Sequence, residues 1–352
     1  MDEMMEERKA VNIIGAGISG LSAAITLARE GIACRLISSL PSERAQSVLA
    51  EGGINAALNT MGENDSVEDH YSDTMRGGNF LEADTAVRNL TENAPQIVRE
   101  LVRLGVPFQS EGGRIIQRNF GGQKKKRTAY ARSSSGKIIM SALIDEVRRF
   151  EAEGLVRRFA GRELEAFDIR DGALNSLTFR DIYSDEFYTV TGTAILCTGG
   201  LNGFFEGLTT GTTQNSGNAA ALAFEAVVEF SDLEFIQYHP TTVVIPGKRM
   251  LISEAARGEG GRLCIMRGGQ PWYFMEEKYP VLGNLMPRDV VSREMVFAKQ
   301  QADTEGEVLL DLTGLSDEVW EKKLSDLRAE IIAYLGLDPA KEPVPTSPGM
   351  HY

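Results

Sequence analysis

The chain has 352 residues, 42% of them apolar and 25% charged, with 36 Gly and 12 Pro. At roughly 100–200 residues per domain this length predicts two domains and a sizeable core. Its 50 acidic residues against 37 basic ones leave a formal charge of −13, so most of the surface would repel a phosphate backbone, and nucleic acid is excluded as a first choice of partner.

The amino-terminal run Met1-Asp2-Glu3-Met4-Met5-Glu6-Glu7 is acidic where a signal peptide is basic and then apolar. No later run approaches the ~18 apolar residues of a membrane span, so a cytoplasmic protein without its own span is expected. Residues 10–38 read as a βαβ unit: an apolar strand, a glycine turn, a helix with the small residues Ala23, Ala24 and Ala28, Gly31 as a stop, and a second strand over 35–38. Residues 65–104 look helical, 110–136 a long loop or hairpin, and 137–153 helical again. Two or three strands fit 154–190 around the Asp171-Gly172 turn, and 193–198 reads as a buried strand. Helix is expected over 219–228 and extended chain over 232–239. Beyond Pro240 the segments look irregular apart from one helix over 317–335, and Pro339, Pro343, Pro345 and Pro348 stop any helix near 342–348. A domain change is therefore placed near residue 240 and a return near 342–348. Lys124-Lys125-Lys126-Arg127 is read as a solvated loop.

Gly15, Gly17 and Gly20 form G-x-G-x-x-G directly after a strand and at a helix start. The first permits the tight turn, the second lets a pyrophosphate approach the backbone, and the third packs helix on strand, while the helix N-terminus offers N–H donors. A nicotinamide site would place Asp or Glu at the end of the second strand; here stand Ser38-Ser39, which makes another dinucleotide the better fit. Between Arg44 and Asn55, small residues and Gly52-Gly53 would let main chain lie against a planar ring such as that of FAD. Cys34, Cys197 and Cys264 are odd in number, widely spaced and outside any C-x-x-C pattern, so neither a disulfide framework nor a structural metal site is expected, and a reducing compartment fits. Glu254, Arg257 and Glu259 alternate charge within six residues among glycines, and Arg288 stands between Pro287 and Asp289. Two readings fit them: a structural salt-bridge network, or a local cationic site for a dicarboxylate in an acidic protein.

The chain resembles the flavoprotein subunit of the succinate dehydrogenase and fumarate reductase family. The resemblance is carried by Gly15–Gly20, Ala50-Glu51-Gly52-Gly53, Asn119-Phe120-Gly121-Gly122 with Arg127-Thr128, Cys197-Thr198-Gly199-Gly200, the run from Glu234 to Pro240, the run from Ser253 to Gly261, Pro287-Arg288-Asp289, and the run from Glu342 to His351-Tyr352. It implies an α/β fold: a Rossmann-like FAD-binding domain, here 1–239, with an inserted α+β capping domain over 240–343, and 344–352 returning to the first domain. It also implies interconversion of fumarate and succinate by hydride transfer at flavin N5. Arg288 matches the family's proton donor and Glu254 and Arg257 its relay to solvent; an arginine in that role requires close cationic neighbours and exclusion of water. His239, Ser253 and His351 match carboxylate-binding residues, and Phe120 an aromatic beside the bound acid. The positions expected to hold FAD are Gly15, Ala16, Gly17, Ile18, Ser19, Gly20, Ser38, Ser47, Ala50, Glu51, Gly52, Gly53, Thr198, Gly199 and Asn218.

Two positions depart from the family pattern. Gln46 stands where members with covalent FAD carry histidine, and an amide cannot form that bond, so non-covalent FAD is expected, with the lower potential that favours fumarate reduction. Asn218 replaces a usual aspartate. L-aspartate oxidase shares the scaffold, and Leu251-Ile252-Ser253-Glu254 would suit it, but Phe120-Gly121-Gly122 and its spacing to Arg127-Thr128 suit the succinate and fumarate branch better. Three scattered cysteines cannot hold a four-ligand cluster, so an iron–sulfur partner would be a separate chain. Family chains continue beyond the His-Tyr pair into further flavin- and substrate-contacting segments, so the remaining alternative is an inactive, carboxy-terminally incomplete flavin-binding fragment.

Overall fold

The computed structural model describes residues 10–132 and 134–351; the acidic run over 1–9, Ser133 and Tyr352 lie outside the described residues. The chain divides into two compact units, one of Met1–Ala50, Gly136–Glu206 and Gly211–Phe235, the other of Glu51–Ser135, Gly207–Thr210 and Ile236–Tyr352. The segment 240–343 lies wholly in the second unit, which also takes in 51–135.

The first unit is built on a parallel sheet in which Val11–Ile14 lies between Ala194–Leu196 and Cys34–Ser38, with Val156–Ala160 outermost. The helix Ile18–Arg29 returns across it, burying Leu21, Ala24, Ile25 and Ala28 at three- and four-residue spacing. The run expected as a buried strand over 193–198 is instead a half-exposed edge strand of three residues, Ala194–Leu196, because among the described residues no strand pairs with its outer side. An antiparallel sheet follows, with Ala173–Asp181 between Arg162–Arg170 and Phe187–Thr191. Asp171 and Gly172 turn it at φ +52° and +74°, the left-handed pair that a tight hairpin needs. Ile14, Ile37, Leu164, Leu177, Phe179 and Val190 form one core from both sheets.

The second unit corrects the expectation of irregular chain beyond Pro240. A six-stranded sheet runs in the order Lys248–Leu251, Tyr238–Ile245, Val344–Met350, Thr304–Asp311, Arg262–Arg267, Gln270–Trp272, each neighbour antiparallel. Bulges between His239 and Thr242 and between Cys264 and Met266 break the alternation from which strands are read in a sequence. Of the prolines near 342–348, Pro345 and Pro348 sit within a central strand, Pro348 where its ladder to Tyr238–Ile245 shifts register. The extended run expected over 232–239 is also corrected: Asp232 takes φ +61°, Leu233, Phe235 and Ile236 stay exposed, and the strand begins only at Tyr238. The single helix expected over 317–335 is two, Asp317–Lys322 and Ser325–Leu335, broken where Leu324 turns into the core. Among the described residues no helix is long and apolar enough to cross a membrane.

Candidate functional site

Each unit carries one constellation. In the first, the chain leaves the strand Val11–Ile14 through Gly15 at φ +108°, where a Cβ would lie 2.2 Å from the Cys197 carbonyl oxygen. A Cβ on Gly20 would lie 1.9 Å from the Gly15 carbonyl oxygen, so both glycines are required by close backbone approach. The turn opens onto a cavity of about 490 Å³ lined by Gly15 through Ser19, Ser38, Ser47, Thr198, Gly199 and Asn218. The Gly15 N–H donates to the Ile37 carbonyl and that of Ile18 to Ser47 Oγ, whereas those of Ala16, Gly17 and Ser19 have no acceptor among the described residues. Unmet donors at the start of a 12-residue helix suit a phosphate. Ser38 Oγ donates to the Leu40 carbonyl and Asn218 Nδ2 to the Leu164 carbonyl, which leaves their oxygens as acceptors. Gln46 also lines the cavity, its Oε1 accepting the Thr212 N–H at 2.6 Å. Arg44 and Arg162 line it too, cations that carried no signal in the sequence. The residues present therefore fit a dinucleotide.

The other expected cofactor positions lie elsewhere. Ala50 is outside this cavity, its carbonyl accepting the Gly136 N–H at 2.6 Å. Glu51, Gly52 and Gly53 fall in the second unit. Gly53, at φ +118°, is held against the Ala129 carbonyl by the pairing of Ile54 with Ala129. The Gly52 carbonyl accepts from Arg118, and burial, with the charge of Glu330 added, pushes the Glu51 carboxyl up to about 8.

In the second unit the sheet and the helix Arg288–Lys299 bring together residues far apart in sequence. Glu254 Oε2 accepts from Arg288 Nε at 3.0 Å and Nη2 at 2.9 Å, while Oε1 accepts from Arg257 Nη2 at 3.0 Å and the Gly121 N–H at 3.1 Å. Burial pushes the Glu254 carboxyl up, but the two guanidinium groups outweigh it and hold the group below the ordinary carboxylate range. Arg257 is 2% exposed and anchors on the Asn284 carbonyl at 2.6 Å. Two guanidiniums on one carboxylate leave one net positive charge.

His239, 1% exposed, and His351 meet edge to face with ring centroids 5.4 Å apart. The pairing of His239 with Gly349 sets that approach. Burial, then the charges of Arg288 and Arg257, holds His239 well below its ordinary 6.5. His239 Nδ1 lies 3.2 Å from the Thr241 carbonyl oxygen and 3.3 Å from the Thr241 nitrogen, so the Thr241 main chain fixes the ring. Burial and Arg288 hold His351 at about 4, with Nδ1 2.6 Å from Thr210 Oγ1. Two neutral imidazoles thus stand near the cationic cluster.

Ser253 is buried, its Oγ accepting the Ala255 N–H, and it faces a small cavity shared with Glu51 and Arg118, not the histidines. Phe120 is buried beneath Arg118, 5.3 Å from ring centroid to guanidinium carbon. Sequence reasoning missed Gln237, whose Oε1 accepts from Arg288 Nη1 at 2.6 Å, and Gly121, which acts through its backbone. Gln237 stands two residues before His239, directly ahead of the strand Tyr238–Ile245, a spacing that could have flagged it. Among the described residues no group of His, Cys, Asp and Glu could hold a metal ion.

A model of the FAD binding domain family matches residues 11–352. The chain is 38% identical over 351 residues to the succinate dehydrogenase flavoprotein subunit of Bacillus subtilis, covering 98% of this chain and 60% of that protein. It is 33% identical over 348 residues to a fumarate reductase (CoM/CoB) subunit of Methanothermobacter marburgensis, covering 97% of this chain and 62% of that protein. Among solved structures it is similar to E. coli quinol fumarate reductase, with a TM-score of 0.87 at 28% identity over 99% of this chain and 61% of that one. The chain spans about 60% of the length of these curated relatives.

Proposed function

This chain belongs to the FAD binding domain family, and from that membership we propose that it is the flavin- and substrate-binding part of an oxidoreductase interconverting fumarate and succinate, favouring fumarate reduction. The observation that carries the reading is the Arg257–Glu254–Arg288 chain, buried at Arg257 and Glu254 and net cationic, beside two neutral histidines. A dicarboxylate needs cations and neutral donors at both ends, and this cluster supplies both. An L-aspartate ammonium would find no free acceptor at Glu254, whose two oxygens are both engaged, which favours the diacid without an amine.

FAD would lie on the Gly15–Ser19 turn, with Ser38, Ser47, Thr198, Gly199 and Asn218 around it, and when bound it supplies the hydride. Reduction of the double bond adds that hydride to one carbon and a proton to its neighbour. Arg288 holds the proton to be delivered, and Glu254, bonded to its Nε and Nη2, is placed to return one. Arg257, across Glu254, is the cationic neighbour the role requires. The rings of His239 and His351 would orient the carboxylates. Gln46 forms no covalent link to flavin, so acid precipitation should release all the yellow colour into the supernatant. Electrons would arrive through a separate iron–sulfur protein.

Arg288→Ala should abolish fumarate reduction by an artificial electron donor while flavin stays bound. Near-normal turnover in that variant would reject the assignment.

A further inference from the structure

We infer that Arg249 and Ser347 form an anion subsite of their own, which takes a carboxylate of a small dicarboxylate on the same sheet face as His239 and His351. The inference rests on the dicarboxylate reading above for the class of ligand and adds two residues to which that reading gives no role.

Strand pairing places the two residues. Arg249 lies on Lys248–Leu251, the edge strand of the six-stranded sheet. Val243, Ile245 and Met250 join the core that holds Val291 and Met295 of the helix Arg288–Lys299, so the alternate positions Thr242, Val244 and Arg249 face away from that helix. Thr242 pairs with Ser347 and His239 with Gly349, and the bulge between them keeps His239 and Thr242 on one side. His351, two residues past Gly349, meets His239 on that same side. Gly349 makes room for the arginine. A Cβ there would lie 2.5 Å from Arg249 Cδ and 2.7 Å from Thr242 Oγ1, so the arginine stem crosses directly over this glycine.

The donors left over point to an anion. Arg249 Nη1 donates to Thr242 Oγ1 at 2.8 Å, Ser347 Oγ at 3.0 Å and the Pro348 carbonyl at 3.3 Å. All three acceptors are neutral, and among the described residues no carboxylate pairs with this half-buried guanidinium. Burial alone pulls it below its ordinary range. Its Nε is buried without a partner, and the two N–H groups of Nη2 have no acceptor among the described residues. The Thr242 hydroxyl is spent on the Ser347 carbonyl at 2.6 Å, whereas the Ser347 hydroxyl accepts from Arg249 and keeps its own proton. Nη2 and that hydroxyl are therefore a cationic and a neutral donor side by side, and the two oxygens of one carboxylate accept from both. A chain of charge −13 repels a dianion over most of its surface, so an uncompensated cation beside the histidines concentrates the dianion where it is needed.

The test is titration calorimetry of the full chain with malonate, a small dicarboxylate, at low ionic strength, in the wild type and in an Arg288→Ala background that disables the site at the histidines. In that background a weaker binding should remain. Arg249→Met, which keeps the stem and removes the charge, should raise its dissociation constant about tenfold, Ser347→Ala about threefold, and Arg249→Lys no more than about threefold. Adding about 0.2 M NaCl should weaken the remaining binding as well, with melting temperatures unchanged among the variants at 249 and 347. Remaining binding that Arg249→Met leaves within about twofold would overturn the proposal. So would binding by the wild type with none left in Arg288→Ala; both results keep the dicarboxylate reading standing. Equal loss in Arg249→Met and Arg249→Lys with a lowered melting temperature would mark a residue that only joins two strands, and would also overturn it. If the wild type itself binds no malonate, the dicarboxylate reading falls and takes this proposal with it.

Discussion

Glu254 shows how much one side chain can organise. Each of its oxygens holds a guanidinium, and Oε1 also takes the Gly121 N–H. Because the carboxylate and Arg257 are both nearly inaccessible, Glu254→Gln would leave two guanidiniums facing a neutral amide and should cost about 3–5 kcal/mol in urea unfolding. Gly121→Ala tests the same site from the other side. Its Cβ would meet Glu254 Oε1, the oxygen that accepts from Arg257, at 2.3 Å, so the carboxylate must shift from its pose; fumarate turnover should drop more than tenfold with flavin retained, and full turnover would show that the Glu254 pose does not matter. Gly121 was legible only as part of a glycine pair, since a backbone donor leaves no side-chain mark in a sequence.

At the level of elements, the basic run over 124–127 corrects the expectation of a solvated loop. Arg127, 1% exposed, is forked between Asp65 and Asp73, Lys125 reaches Asp69, and Lys126 reaches Glu63. The acidic segment around the helix Val67–Gly77 thus neutralises the run and fixes the stretch that begins at Asn119-Phe120-Gly121-Gly122. Arg127→Met should lower stability by about 3–5 kcal/mol, because Asp65 and Asp73 would stay buried without a cation. Lys322→Ala, which breaks an i,i+4 pair with both partners over 70% exposed, should leave it unchanged within the error of the measurement. Equal effects in the two variants would refute the distinction. Opposite charges 62 residues apart cannot be matched from composition; only the folded loop shows that they meet.

For the whole molecule, the three histidines act together. Burial holds His70 and His351 at about 4 and His239 well below 6.5. Between about 4 and 6.5 the unfolded chain binds protons there that the folded chain does not, so stability rises with pH across that window and is lost on acidification. Glu51 acts in the opposite sense. Burial, with Glu330 adding to it, raises its carboxyl to about 8, so between 4.5 and 8 the folded chain keeps a proton that the unfolded one has released, and stability falls as pH rises. Urea midpoints at about pH 5, 6.5 and 8 should peak at the middle value, and Glu51→Gln should flatten the alkaline side. A profile rising through the most alkaline point would contradict this assignment.

Local pattern was enough to reveal the glycine turn, its strand and helix, and the residue types of the anion cluster, because short-range backbone geometry and charge are written in adjacent positions. The six-stranded sheet was hidden by bulges and by prolines inside a strand, where long-range pairing overrides local signals. Tertiary structure also decided which charges meet: Arg288 and Glu254 lie 34 residues apart, and His239 reaches His351 only because one strand pairs with another more than a hundred residues later. The sequence alone determined the chemistry available to this protein. The fold determined its neutral histidines, the net cationic charge of the Arg257–Glu254–Arg288 cluster and the pose of Gln237, since burial and distance set protonation and orientation and neither exists in an unfolded chain.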